Sequence, residues 1–325
     1  MSKVPRGLSN EFLNEFINGM LQPVLKRVRN DDTLDFEIRS EEVHIYYRGG
    51  KILGIKPTSK RNDIFDLSFD KKYFLNSEVP LYVKNLPERV SSQEDIIARL
   101  EQFPIFKQAM DFYGKKFQKN EREYQQNLIR ENNYSTVSNG TDYFIVDMEY
   151  NHPNTDIKGR ADLTAFRWES KGSNRKKGKV KLCLLEVKYS DKALKGKSGL
   201  QEHIEHMIAL TKNKDALDIT KKEMLNIFRQ KRQLGLISFG SKTNENEVSS
   251  FSDETPEIIL LLINHDPESK SLLEQLQVLS PEDKKYVSIA TSNFLGYGLY
   301  TESIYSTEEF IAKFGKQIIC NGKMG

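Results

Sequence analysis

Cysteine is almost absent from this chain, with Cys183 and Cys320 the only two in 325 residues. That excludes a secreted scaffold stapled by disulfides, and no Cys/His spacing of the zinc-finger kind is present. No apolar run approaches the length of a membrane span. The opening Met1-Ser2-Lys3-Val4-Pro5-Arg6 leads into mixed residues rather than an apolar signal core, so a reducing, cytoplasmic setting is expected. Excess charge is lacking too. Lys and Arg number 49 against 46 Asp and Glu, a net charge of +3, which argues against a blanket nucleic-acid coat. There is no phosphate-binding P-loop and no internal repeat, so nothing supports ATP-driven chemistry within the chain.

What is present describes a globular protein, 38% hydrophobic and 29% charged, long enough for one large or two modest cores. Phe12, Phe16, Ile17, Met20, Leu21, Val24 and Val28 recur at helical spacing and predict an amphipathic opening helix kinked by Pro23. Strands are expected at 34–38, 43–48 and 51–55, the last two joined by a type I′ turn at Gly49-Gly50. Ser91 with Glu94 reads as a capping box for a helix toward Phe112 that Pro104 interrupts. These elements make residues 1–110 an N-terminal α+β domain, with 111–325 as a second, α/β domain. In that second part a helix is expected over 213–234, then a strand over 257–263 apolar enough to be buried on both faces. Leu272 to Val278 reads as a helix, 286–291 as a last strand, and Ser306 with Glu309 as a second capping box. The polar stretch 238–252 reads as a loop.

The chemistry is concentrated in two expected strands. Val180 to Tyr189 is apolar and β-branched, yet carries Glu186 and Lys188 two positions apart, which a strand's period of two points to one face. A carboxylate and an ammonium in a core strand are costly to bury unless they pair or hold a metal. Asp162 lies in the preceding strand, Arg160 to Trp168, after Gly159. Antiparallel pairing of the two brings Asp162 toward Glu186 and Lys188. The competing reading is a surface hairpin with an exposed Glu186–Lys188 ion pair, which contributes little.

Asp162, then a variable hairpin, then Glu186, one residue and Lys188, resembles the PD-(D/E)XK nuclease superfamily, with Ala161 standing where the family name has proline. The resemblance implies a restriction-endonuclease-like core, a mixed sheet flanked by helices, and covers about residues 118–266. It implies that Asp162 and Glu186 coordinate a divalent cation, Mg2+ with Mn2+ as a substitute, with the Val187 carbonyl as a third ligand, and that Lys188 acts on the attacking water and the phosphate. It implies further a helix glutamate facing the metal, Glu123 or Glu121, and a glutamine on the following helix, Gln201. Where some relatives have an aromatic four positions after that glutamine, this chain has Glu205.

Asp147 and Glu149 share a face of the strand before Asp162 and read more readily as edge acids than as ligands. His203 and His206 lack a third zinc ligand nearby and read as a polar helix face, one that could line the cleft. The connection between the two strands carries Lys171, Arg175, Lys176, Lys177, Lys179 and Lys181, and Lys192, Lys195 and Lys197 follow. Both groups are candidates for a polyanionic backbone, against the plainer reading of a solubilising loop. The expectation is a magnesium-dependent phosphodiesterase acting on nucleic acid, DNA before RNA, in the setting of a bacterial defence or restriction effector. A protein partner for residues 1–110 and self-association stay open. The competing function is a non-cleaving nucleic-acid or protein-binding module that retains the fold.

Overall fold

The computed structural model describes residues 6–58, 61–75, 87–117, 120–134, 140–153, 159–170, 178–194, 199–237, 248–265, 270–292 and 301–315. The chain divides into two compact units. One comprises Val4–Gln126 and Asn226–Ser238; the other comprises Asn127–Leu225 and Phe239–Gly325, with Met1–Lys3. The unit that holds the N-terminal residues thus also includes a segment from far along the sequence.

The N-terminal unit begins with α1 (Asn10–Ile17) and α2 (Gln22–Arg29). These were expected as one kinked helix. The chain breaks between them instead, and Pro23 sits in the first turn of α2, where its missing N–H removes no helical hydrogen bond. Ser9 caps α1, its side chain accepting from the Phe12 N–H. Next come β1 (Leu34–Ile38), β2 (Val43–Tyr47), β3 (Gly50–Thr58) and β4 (Arg61–Ser68), then α3 (Lys72–Leu75) and β5 (Arg89–Val90). They form an antiparallel sheet in the order β1-β2-β3-β4-β5. The β2–β3 turn lies one residue earlier than the glycine pair suggested: Arg48 (φ 46°) and Gly49 (φ 70°) occupy its centre, and Tyr47 pairs with Gly50. Both centre residues at positive φ are what a type I′ turn requires.

Phe12, Phe16, Phe36 and Phe65 interlock beneath this sheet, with ring centroids 5.4 Å apart for Phe12–Phe16, 5.2 Å for Phe16–Phe36 and 5.6 Å for Phe12–Phe65. Each such ring contributes about 1.5–3 kcal/mol through burial. After β5 follow α4 (Gln93–Glu101), α5 (Phe103–Lys116) and α6 (Asn120–Ile129). The cap of α4 is Ser92, accepting from the Asp95 N–H, rather than Ser91 with Glu94; Pro104 lies in the first turn of α5.

The other unit is built on β6 (Tyr143–Asn151), β7 (Arg160–Arg167), β8 (Lys179–Tyr189), α7 (Leu200–Lys212), α8 (Lys214–Gln233), β9 (Ser250–Phe251), β10 (Glu257–Ile263), α9 (Lys270–Val278), β11 (Val287–Ser292), β12 (Ile304–Ser306) and α10 (Thr307–Phe314). The second part of α8 belongs to the N-terminal unit. The sheet is mixed, in the order β12-β11-β10-β8-β7-β6, with β9 beside the start of β8. β8, β10 and β11 run parallel, while β6–β7, β7–β8 and β11–β12 are antiparallel. β10 sits between two parallel neighbours, which is why its run Ile258 to Ile263 is apolar on both faces. α7 packs against β7, β8 and β10. Two sheets and their helices make the chain mixed α/β. The strand expected last, β11, is followed by one more, β12, and the Ser306–Glu309 capping box opens α10. No described helix is long and apolar enough to cross a membrane. Of the expected loop 238–252, residues 238–247 lie outside the described residues.

Candidate functional site

β8 is central because Leu182, Cys183, Leu184, Leu185 and Val187 are all buried, with β7 on one side and β10 on the other. Its two charged residues are buried with them: Glu186 is 0% exposed and Lys188 4%. The β7–β8 ladder ends at Leu163↔Leu185. Continuing that register by one residue places Asp162, 2% exposed, level with Glu186. Where the ladder ends, a side chain replaces the main-chain bond. Asp162 Oδ2 accepts from the Val187 N–H at 2.9 Å, so the sequence positions Asp162 by anchoring it to the strand that carries Glu186.

Two nitrogens crowd one oxygen of Glu186. Its Oε1 lies 2.7 Å from Lys188 Nζ and 2.6 Å from His203 Nδ1. Both nitrogens lie within hydrogen-bonding reach of that one carboxylate oxygen. Burial works against its ionisation, but His203 and Lys188 together outweigh that and hold the carboxyl below the ordinary glutamate range.

The three signature residues are thus brought together, and a fourth joins them. His203 had been read as a polar helix residue. Leu200, His203 and Met207 are spaced three and four apart on α7, so His203 shares the stripe that faces the sheet, and this spacing was the signal available. A second acid–histidine pair follows the ends of the same strands: His265 Nδ1 lies 2.8 Å from Asp191 Oδ1, just after β10 and β8 respectively. His206 makes only a loose contact with Glu202 at 3.9 Å.

Both oxygens of Glu123 accept from the Arg48 guanidinium, at 2.8 and 3.1 Å, within the N-terminal unit. A fork-on-fork ion pair of this kind satisfies the carboxylate with a permanent cation. Glu121 lies in the first turn of the same helix, α6. Gln201 is exposed on α7, where its Nε2 donates to Glu205 Oε1 at 3.0 Å, one turn along the same helix. Asp147 is fully buried on β6, paired in register with Thr164. The β6–β7 register puts Glu149 level with Asp162, but Glu149 adopts φ 55° and lies 3.6 Å from Arg160.

Of the basic candidates, Lys179 pairs with Asp253 at 3.6 Å and Lys181 with Glu254 at 3.5 Å. Lys171, Arg175, Lys176, Lys177, Lys195 and Lys197 lie outside the described residues, as does the side chain of Lys192.

No group of three or more His, Cys, Asp or Glu side chains arranged to hold a metal occurs among the described residues. The donor set at β7–β8 fits a hard cation all the same. Asp162 and Glu186 supply two buried carboxylates level with one another, and the Val187 carbonyl belongs to the same strand as Glu186. Magnesium characteristically takes one or two carboxylates from a protein and keeps several waters. Comparison with protein-family models, with curated proteins and with solved structures finds no match.

Proposed function

We propose that this protein is a divalent-metal-dependent nuclease whose site is Asp162, Glu186 and Lys188, on a restriction-endonuclease-like core of the PD-(D/E)XK kind. The observation that carries the reading is the fully buried Glu186 carboxylate, level with Asp162 and touched on one oxygen by both Lys188 and His203. A purely structural ion pair has no need of a second acid at the same level, nor of a histidine on the same oxygen.

In this reading Asp162 and Glu186 hold the cation, Mg2+ or Mn2+, and the Val187 carbonyl assists. The metal would supply a nucleophile at neutral pH and neutralise phosphate charge. Lys188 holds its ammonium beside Glu186, where it orients the attacking water and donates a hydrogen bond to the phosphate oxygen as negative charge develops there. His203 acts through Glu186, fixing its carboxylate, and is therefore a positioning residue. Asp162 has a second task, since its bond to the Val187 N–H keeps β7 and β8 in step at the point where their ladder ends.

Lys179 and Lys181, whose acidic partners are exposed and weakly held, remain candidates for backbone phosphates with the rest of their basic run. The substrate is nucleic acid, DNA before RNA. The setting proposed is a defence or restriction effector in the cytoplasm, with residues of the N-terminal unit recognising the target or a partner. The test is incubation of plasmid, linear duplex, single-stranded DNA and RNA with magnesium, manganese and EDTA. Metal-dependent cutting of at least one substrate supports the reading. Binding without cutting in any metal would favour a non-cleaving module that keeps the fold.

A further inference from the structure

The N-terminal unit contains a cavity of about 320 Å³ that the proposed nuclease site does not use. That volume lies at the small end of the range for ligand pockets. Its aromatic wall consists of Tyr47, Tyr73, Tyr113 and Phe117. Tyr73 is buried, Phe117 is 41% exposed, and Tyr113 bridges them, with ring centroids 5.1 Å from Tyr73 and 4.8 Å from Phe117. The rings therefore form a row from a closed end to an open one.

The polar wall is set with unusual care. Arg48 adopts φ 46°, a left-handed conformation that a residue with a side chain takes up at a cost. Its guanidinium is fixed by both Glu123 oxygens and by Asp111 Oδ1 at 2.9 Å. Those two carboxylates keep Arg48 protonated, so its charge is fixed in place. Tyr47 Oη donates to Asp111 as well, and burial with the Asp111 charge pushes the Tyr47 hydroxyl pKa up to about 12. The turn that presents Arg48 is pinned from behind, because Gln126 Oε1 accepts from the Gly49 N–H at 2.7 Å and a side chain at Gly49 would collide with the Arg122 backbone.

Asp111 and Glu123 hold Arg48 and Tyr47, and the other charged residues of the lining are Lys115 and Arg122, both exposed and cationic. Asn120 adds an amide with donors and an acceptor. Aromatic faces for a planar ring, an amide for its edge, and exposed cations for an anion together describe one ligand chemistry.

We infer that this pocket binds a nucleotide, its base stacked against the tyrosine and phenylalanine rings and its phosphate held by Lys115 and Arg122. The ligand has two sources, a free mononucleotide or one residue of a nucleic-acid strand. The inference stands apart from the nuclease reading, since it uses other residues and needs no metal.

The experiment is calorimetric titration of the full chain in EDTA with each of the four 5′-mononucleotides, the matching nucleosides, inorganic phosphate, and a short single-stranded oligonucleotide. The expected result is saturable binding of at least one nucleotide, with its nucleoside and phosphate alone each much weaker. Tyr113→Ala and the exposed Phe117→Ala should each weaken it about tenfold, the usual scale for loss of one stacking partner. Arg122→Gln should weaken the nucleotide and leave the nucleoside unchanged. Tighter binding of the oligonucleotide than of any mononucleotide assigns the source to a strand, and the reverse order assigns it to a free nucleotide. Absence of binding in every arm overturns the inference. So does binding that survives Phe117→Ala and Arg122→Gln unchanged, in variants whose thermal midpoints match wild type.

Discussion

Two buried lysine–glutamate pairs, one in each unit, invite comparison. Lys231 Nζ donates to Glu37 Oε1 at 2.8 Å, and Lys188 Nζ lies 2.7 Å from Glu186 Oε1; the side chains of both pairs are at most 4% exposed. Distance and burial do not distinguish them. Their surroundings do. Glu37 is on β1 and Lys231 on α8, so the first pair ties together residues 194 apart in sequence, and Arg39 adds a second cation at 3.5 Å. Glu186 and Lys188 are neighbours on one strand and close no loop. A pair that links distant segments holds a fold together, whereas a pair on one strand, with Asp162 level and His203 on the same oxygen, concentrates charge at one place. Burial of an ion pair is therefore weak evidence of function until its sequence separation and third partners are known.

The largest expected effect separates the pairs by activity. Asp162→Asn and Glu186→Gln should reduce metal-dependent cutting below detection, because each removes a proposed ligand charge while keeping side-chain shape. Glutamine is preferable to alanine at 186, since truncation would also empty buried volume. Cutting assays together with thermal melts check this, and near-wild-type cutting by both would remove the site. Lys188→Ala should lower turnover by about 100- to 1,000-fold, the scale seen when one donor to developing charge is lost. Binding measured in calcium should change far less; loss of affinity at unchanged turnover would reduce Lys188 to a phosphate anchor.

The Glu37–Lys231 pair should behave in the opposite way. Removing one partner strands a buried charge, so Glu37→Gln or Lys231→Met should cost about 3–5 kcal/mol in urea unfolding. Replacing both by apolar residues should recover most of that loss. The corresponding double replacement at Glu186 and Lys188 should leave a folded, inactive protein. A smaller effect is expected at His203. His203→Asn should raise the magnesium concentration needed for half-maximal cutting by about 10- to 100-fold, the usual reach of a group that orients a metal ligand. An unchanged metal dependence would make His203 a packing residue.

The sequence made one of these pairs readable and hid the other. Two charges two positions apart in an apolar strand announce themselves, because a period of two puts them on one face. Glu37 and Lys231 give no such signal, since nothing local relates β1 to α8. The same distinction runs through the fold. β10 was legible as a strand buried on both sides because its composition alone says so, and the α10 capping box is a pattern of four residues. The turn at Arg48-Gly49 was placed one residue late because Gly49-Gly50 is the better sequence signal; what lets Arg48 accept positive φ is its anchorage to Glu123 and Asp111, which lie far along the chain. The Arg48–Glu123 pairing was unreadable for the same reason. A helix acid looks alike whether it faces a metal or an arginine, and only the tertiary partner decides. His203 was recoverable from its spacing with Leu200 and Met207, had the stripe been extended through a polar residue.

The most direct measurement sets the two pairs side by side: plasmid cutting with magnesium and urea unfolding without it, for wild type, Glu186→Gln and Glu37→Gln. The account predicts that both variants lose stability, since each strands a buried ammonium, but that under conditions where each is folded Glu186→Gln ceases to cut while Glu37→Gln still cuts. Cutting by Glu186→Gln at the wild-type rate would contradict it.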